Sequence, residues 1–318
     1  MNNISVLTEF LLLGFSGTWR FQFLQSVFFI IIYLAALMGN SLIIAITSLD
    51  PSLHIPMYFF LRNLSLFDIC LVSAVVPKIV FNSLIQRNSI SFLSCVIQVF
   101  LVPFSAVAEL LLLTGMSIDR YTAICHPLHY EVIMNRDRCV QIVALSWLSG
   151  GLLSAMHTIG IFSLSYCGLN KIQQFFCDIP QLLAITCSKN ITAEVVLILV
   201  NAVLDFCCFL CIIISYIYIF STVKKIPSTE GQSKVYSTCL PHLAVVALFL
   251  STAFIAYLKP ILGSPSFTDL ILSSFYIFLP PSLNPIIYSL RNKAIKVGLD
   301  KLVTRKVLTK ENILMILK

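Results

Sequence analysis

The sequence predicts an all-α membrane protein, a bundle of seven transmembrane helices. Three observations carry that expectation. Of the 318 residues, 58% are hydrophobic and only 11% are charged, less than half of the roughly 25% found in soluble domains. The mean hydropathy is +0.94. Seven apolar stretches each reach the ~20 residues a helix needs to cross a hydrocarbon core of about 30 Å. A soluble enzyme, a nucleic-acid-binding module and a disordered scaffold are excluded together, because none could stay in water with so little ionic surface.

The spans are read at 24–48, 57–80, 93–121, 140–161, 193–221, 236–258 and 268–289. Polar segments rich in turn formers separate them, such as Asp50-Pro51-Ser52 and Pro227-Ser228-Thr229-Glu230-Gly231. An earlier apolar run at 10–15 is too short to span, and it lacks the basic n-region of a cleaved signal peptide. The chain thus divides into an extracellular N-terminus (1–23), the bundle (24–290) and a cytosolic tail with a short amphipathic helix (291–318).

Orientation follows from the basic residues, which concentrate on the cytosolic side. The N-terminus and the loops after spans 2, 4 and 6 carry 6 Lys and Arg, whereas the opposite side carries 15, eight of them in 291–318. The N-terminus is therefore expected outside and the C-terminus in the cytosol of a multi-pass protein. The basic tail suits either a helix lying on anionic membrane lipid or a solvated extension. Of three Asn-x-Ser/Thr sequons, those at Asn3 and Asn190 fall outside, where glycans can be added. The third, at Asn63, lies within a span and is read as chance. Cys95, Cys167, Cys177 and Cys187 are the four exterior cysteines, in the oxidising compartment. Four cysteines allow three pairings, among which spacing does not choose. Three of them sit in the long connection 163–192, which suggests a pinned loop.

Ionisable side chains at lipid depth are costly and point to function. Arg120 of Asp119-Arg120-Tyr121 falls at the cytosolic mouth of span 3, with Glu109 about 16 Å higher at 1.5 Å per residue. Asp68 reaches the same depth on span 2. The pair reads either as a shared site for a cation such as sodium or for a proton, or as two separately hydrogen-bonded acids, one of them neutral. Asn40 on span 1 and Asn284 on span 7 lie at similar depth. Asn284-Pro285 interrupts helical bonding locally, where neighbouring polar groups can restore it. Asp205 on span 5 is a third membrane acid without an evident partner.

Several motifs then coincide in order: Gly39-Asn40; Leu53-His54-Ile55-Pro56-Met57-Tyr58-Phe59-Phe60-Leu61; Leu64-Ser65-Leu66-Phe67-Asp68; Met116-Ser117-Ile118-Asp119-Arg120-Tyr121-Thr122-Ala123-Ile124-Cys125-His126-Pro127-Leu128; Ser215-Tyr216; Lys234-Val235-Tyr236-Ser237-Thr238-Cys239-Leu240-Pro241-His242-Leu243; and Pro281-Ser282-Leu283-Asn284-Pro285-Ile286-Ile287-Tyr288. Over nearly its whole length the chain resembles an olfactory (odorant) receptor of the rhodopsin-like, class A G-protein-coupled family, of the tetrapod-type class. The resemblance implies disulfides Cys95–Cys177 and Cys167–Cys187. It implies that Asp119, Arg120, Tyr121, Tyr216, Asn284, Pro285 and Tyr288 serve activation, opening a cytosolic cavity for a heterotrimeric stimulatory G protein that raises cAMP. It supports Asp68 and Glu109 as a sodium site, with no other cofactor, and it implies a plasma membrane location in olfactory cilia. One departure is Phe249-Leu250-Ser251, where many members carry Phe-Tyr-Gly, so the usual tyrosine beneath the ligand is missing.

By the same analogy the outer third of the bundle holds a small, volatile, mostly hydrophobic odorant. Span 3 contributes Val102, Pro103, Ala106 and Val107; span 4 Ser154 and His157; the loop Ile179; and span 5 Leu197, Val200, Asn201 and Leu204. Span 6 contributes Leu250, Ala253, Phe254 and Tyr257, and span 7 Ser273, Ser274 and Ile277. His157 suits a bond to a neighbouring helix as well as one to a ligand. The rival class is a transporter or a proton or cation pathway through the buried acids, but no internal repeat accompanies it. A retinal protein would need a span-7 lysine, and none lies between Thr268 and Leu290. An aminergic receptor would want an acid where Val102 sits. Enzyme and nucleic-acid functions are not expected, since no phosphate loop, metal-spaced Cys/His set or triad is visible.

Overall fold

The computed structural model describes residues 8–12, 19–167, 170–258, 267–291 and 295–298, the side chains of 254–258, 267–274, 290 and 291 excepted. Nine α-helices occur among them: α1 (Trp19–Leu49), α2 (Pro56–Ile85), α3 (Phe92–Cys125), α4 (Tyr130–Ile133), α5 (Arg136–Phe162), α6 (Ile179–Ile185), α7 (Thr192–Val223), α8 (Thr229–Leu258) and α9 (Phe267–Arg291). The seven long ones, α1, α2, α3, α5, α7, α8 and α9, are spans 1 to 7. Six of these, α1 to α8 without α4 and α6, are long and apolar enough among the described residues to cross a membrane. Helix is the form that meets every backbone polar group internally where water is absent. Residues 295–298 form one further helical turn.

Each helix overruns its apolar stretch, most of all α8, which starts at Thr229 rather than at 236. Its first turns are polar and lie in water, so hydropathy gives no sign of them. Side-chain caps fix other ends: the Asn135 carboxamide oxygen accepts from the Arg138 amide at 2.9 Å and starts α5. Large apolar side chains such as Leu199, Val203 and Phe206 on α7 stay exposed, as expected of a helix apolar all round that faces lipid.

The short run at 10–15 is a strand over part of its length. Strand β1 (Glu9–Leu12) lies between β2 (Ser89–Ser91) and β3 (Lys171–Ile172). It pairs antiparallel with β2, with Phe10 opposite Ile90. With β3 it runs parallel, with Leu12 opposite Ile172. Phe10 is fully buried and meets the Tyr166 ring edge-on at 5.6 Å. Below this sheet one apolar cluster joins Val102 of α3 to Ile277 of α9 and to the loop residues Phe175 and Phe176. A second cluster fills the cytosolic half around Leu112, Leu113, Ile212 and Tyr288.

One close approach explains a motif. A Cβ on Gly39 would stand 2.8 Å from Pro285 Cβ, so only glycine lets α1 and α9 touch at this level. The neighbouring Asn40 Nδ2 donates to the Pro281 carbonyl at 2.8 Å. That carbonyl sits four residues before Pro285, whose ring nitrogen has no hydrogen to offer it.

Candidate functional site

The midplane site assembles from α2, α3 and α9. Asp68 is fully buried on α2, and both of its oxygens accept from Asn284 Nδ2 at 3.1 Å. Glu109 on α3 is 1% exposed and lies within electrostatic reach of Asp68. Its Oε1 is buried without a hydrogen-bond partner among the described residues. Two carboxyl groups buried at lipid depth on neighbouring helices, one with an unused oxygen, supply the oxygen ligands that a hard cation takes. No cluster of three or more His, Cys, Asp or Glu with metal-binding geometry occurs among the described residues.

Toward the cytosol, Tyr288 is fully buried, with its hydroxyl unpartnered among the described residues. It lies about one helical turn below Asn284 on α9. Arg120 Nε stands 3.8 Å from Asp119 Oδ2, and Asp119 Oδ1 also accepts from the Tyr130 hydroxyl of α4 at 2.7 Å. Burial and the facing Asp119 carboxylate raise the Tyr130 phenol above its ordinary value, so it stays a donor. Tyr121 turns outward to bond His126 at 3.0 Å.

Sequence reasoning missed one member of this region. His242 of α8 is fully buried. Its Nε2 meets the Leu113 carbonyl of α3 at 3.0 Å, and its Nδ1 meets the Tyr216 hydroxyl of α7 at 2.8 Å. A carbonyl only accepts, so in the neutral ring Nε2 carries the hydrogen and Tyr216 donates to Nδ1. The Leu240-Pro241-His242 motif was the available signal.

The outer half contains a buried polar group in which sequence reasoning named His157 and Asn201 but missed Glu194. His157 of α5 bonds Glu194 Oε1 of α7 through Nδ1 and accepts from Asn201 Nδ2 at 2.7 Å through Nε2. Since Asn201 donates, Nδ1 carries the ring hydrogen and gives it to the carboxylate. A Cβ on Gly160 would come within 2.5 Å of Glu194 Oε2, so the glycine makes room for the acid. His157 and Asn201 thus cross-link two helices through each other.

The remaining pocket residues separate into groups. Val102, Val107, Ser154, Ile179 and Ile277 are buried. Pro103, Ala106, Leu197, Leu204, Leu250 and Ala253 are half-buried. Ala106, Leu204 and Leu250 each pack against the larger core cluster. Val200 is a correction: it is 50% exposed, because one residue's rotation of about 100° turns it off the face that Asn201 presents. The side chains of Phe254, Tyr257, Ser273 and Ser274 lie outside the described residues. Asp205 is exposed, with no bonded partner among the described residues.

Above the pocket the structure contains the disulfides Cys95–Cys177, with Cα atoms 5.4 Å apart, and Cys167–Cys187, at 6.1 Å. The Gln98 carboxamide holds the first in place, donating to Ala74 O at 3.0 Å and accepting from the Cys177 amide at 2.9 Å. Asn190 is exposed just before α7, whereas Asn3 lies outside the described residues. Asn63, the third sequon residue, is buried and accepts from Trp147 Nε1 at 3.3 Å, where no glycan could reach.

A family model described as olfactory receptor matches residues 29–306. The chain belongs to the olfactory receptor family. Human olfactory receptor 14A16 is 66% identical over 311 residues, 98% of this chain and 100% of that one. Human olfactory receptor 14A2 is 50% identical over 96% of this chain and 97% of its own. Gorilla olfactory receptor 1G1 is 44% identical over 95% and 96%. Squid rhodopsin superposes with a TM-score of 0.71 at 18% identity, covering 91% of this chain and 82% of its own, which shows the seven-helix fold. This olfactory receptor is therefore a multi-pass membrane protein of rhodopsin-like architecture, an odorant receptor of the G-protein-coupled kind. Its curated relatives are receptors rather than enzymes.

Proposed function

We propose that this olfactory receptor takes a small, mostly hydrophobic, volatile ligand in the outer third of its bundle, activates a stimulatory olfactory-type G protein and so raises cAMP. The observation that carries the reading is the polar column running down an otherwise apolar bundle. It passes from the Asp68–Asn284 bond at the midplane through Tyr288 to Arg120, with the Tyr216–His242 latch beside it. A ligand that reshapes the apolar pocket above can bias such a column between two arrangements, because the unpartnered Tyr288 hydroxyl leaves a bond to be made. The lining of Val102, Val107 and Ile277 favours burial and shape over hydrogen bonding, which suits weak, broad recognition of a molecule with at most one polar group.

Sodium at Asp68 and Glu109 belongs to the same proposal. The unpartnered Glu109 oxygen supports it, and a bound cation would stabilise the arrangement in which the two carboxyls stay close. Arg120, Asp119 and Tyr121 are assigned to the cytosolic end, where the G protein docks, and the plasma membrane of olfactory cilia is the expected site of action.

The deciding experiment is an odorant panel in cells carrying a cAMP reporter and a receptor-trafficking chaperone, with Tyr257→Ala, Asn201→Ala and Val107→Phe beside the natural chain. A shifted dose-response in these variants at normal surface expression is expected. Unchanged responses in all three would move the pocket elsewhere. Odorant-independent ion flux through the receptor in liposomes would instead favour a conduction pathway through Asp68, Glu109 and Asp205.

A further inference from the structure

At the cytosolic end of the bundle a groove of about 520 Å³ opens between the α1–α2 turn and the start of α5. Its volume falls in the range of ligand pockets, roughly 300–1,000 Å³, and none of the residues lining it is acidic. Two guanidinium groups reach it from different helices, Arg62 from α2 and Arg136 from the first turn of α5, with His54 at its edge. Neither arginine has a carboxylate within ion-pairing distance among the described residues. Arg62 makes one long bond, to Ser48 Oγ at 3.4 Å, and rests over the Phe59 ring at 5.3 Å. The flank is apolar and open: Ile55 is 48% exposed and Val140 47%.

We propose that this groove binds an anionic phospholipid of the cytosolic leaflet, its phosphate held by Arg62 and Arg136 and its acyl chain laid along Ile55, Phe59 and Val140. The lining asks for two kinds of chemistry at once. Unpaired guanidinium groups match phosphate geometry with paired N–H donors, and the adjoining strip of exposed aliphatic surface asks for hydrocarbon. A neutral sterol would use the strip and leave two arginines idle, and a free phosphate would do the reverse. Only an anionic lipid answers both, and it is the molecule this depth of the membrane supplies. None of the residues lining the groove belongs to the basic tail, and the proposal rests neither on the odorant nor on the G protein.

The test uses the full-length receptor in nanodiscs doped with a photoreactive phosphatidylinositol bisphosphate, followed by sequencing of the labelled peptides. Label is expected on the segments 55–62 and 134–140. The double variant Arg62→Gln/Arg136→Gln should lose about tenfold of it, given the attraction each basic residue exerts on an anionic leaflet. Arg62→Lys/Arg136→Lys should retain a substantial part, which separates lost charge from lost fold. Lys224→Gln/Lys225→Gln, at the end of α7 and outside the groove's lining, should label like the natural chain. Label confined to 291–318, equal labelling by a phosphatidylcholine analogue, or undiminished labelling of the double glutamine variant would each overturn the proposal. Complete displacement by soluble inositol trisphosphate at matched concentration would overturn it too, by identifying a headgroup site without a lipid.

Discussion

One imidazole ties three membrane helices together: His242 of α8 accepts from Tyr216 of α7 at 2.8 Å and donates to the Leu113 carbonyl of α3 at 3.0 Å. Both bonds are buried, and the tyrosine and histidine rings stack at 5.7 Å. The contact holds α3, α7 and α8 together in the cytosolic half of the bundle.

Replacing His242 by phenylalanine keeps the ring volume and removes both bonds. At about 1 kcal/mol each they bias the closed arrangement roughly thirtyfold. Agonist-independent cAMP, normalised to receptor at the surface, should rise severalfold. An unaltered baseline at matched expression would show that the latch does not restrain activity.

Arg120→Ala is expected to abolish agonist-evoked cAMP and leave insertion and surface delivery intact. Arg120 is 14% exposed, and the acid it meets at 3.8 Å is its own neighbour Asp119, so no ion pair between helices is lost with it. Full signalling by this variant would remove Arg120 from the mechanism.

Gly160→Ala should destabilise the receptor by about 1–3 kcal/mol, the cost of leaving a buried polar group unpaired. The new methyl would displace Glu194 from His157. Once Glu194 is itself alanine, the same change should cost almost nothing, a non-additivity that thermal unfolding of the purified single and double variants would reveal.

Thermal stability of the purified receptor should increase when sodium replaces a bulky organic cation at equal ionic strength, if Asp68 and Glu109 share the ion. Asp68→Asn and Glu109→Gln should each abolish the increment. An increment that survives both substitutions places the sodium effect elsewhere.

Asp178, in the extracellular loop, is buried, which pushes its carboxyl up to about 6, while the bond it accepts from the Ile179 amide holds it down in part. An acid whose folded value lies above the unfolded one near 4 binds more protons when folded. Its contribution to stability therefore falls as pH rises from about 4 to 6 and is recovered on acidification. Asp178→Asn, which can still cap α6, should flatten the pH dependence of thermal unfolding across that window.

The long helices were legible because hydrocarbon imposes one demand on every residue in a span, and that demand is visible as composition. The Asp68–Glu109–Asn284 level was legible for the same reason, since polar residues in apolar runs stand out and rise per residue gives their depth. Glu194 was not, because it sits in the first turn of α7, where an acid gives no sign of burial. Its burial depends on how far α5 and α7 are rotated toward each other, which no single stretch encodes. Val200 went astray by the same ignorance of rotation. Strand β1 was invisible because four residues acquire strand character only from the two partners beside them.

The roof over the bundle has a consequence of its own. Segments more than 75 positions apart in the chain, at Glu9–Leu12, Ser89–Ser91 and Lys171–Ile172, are joined there by main-chain bonds such as Leu11 N to Asn170 O at 2.7 Å and Leu12 N to Asn88 O at 2.9 Å. Main-chain bonds are indifferent to the side chains they carry. The canopy can thus exchange inward side chains one at a time and still span the same gap.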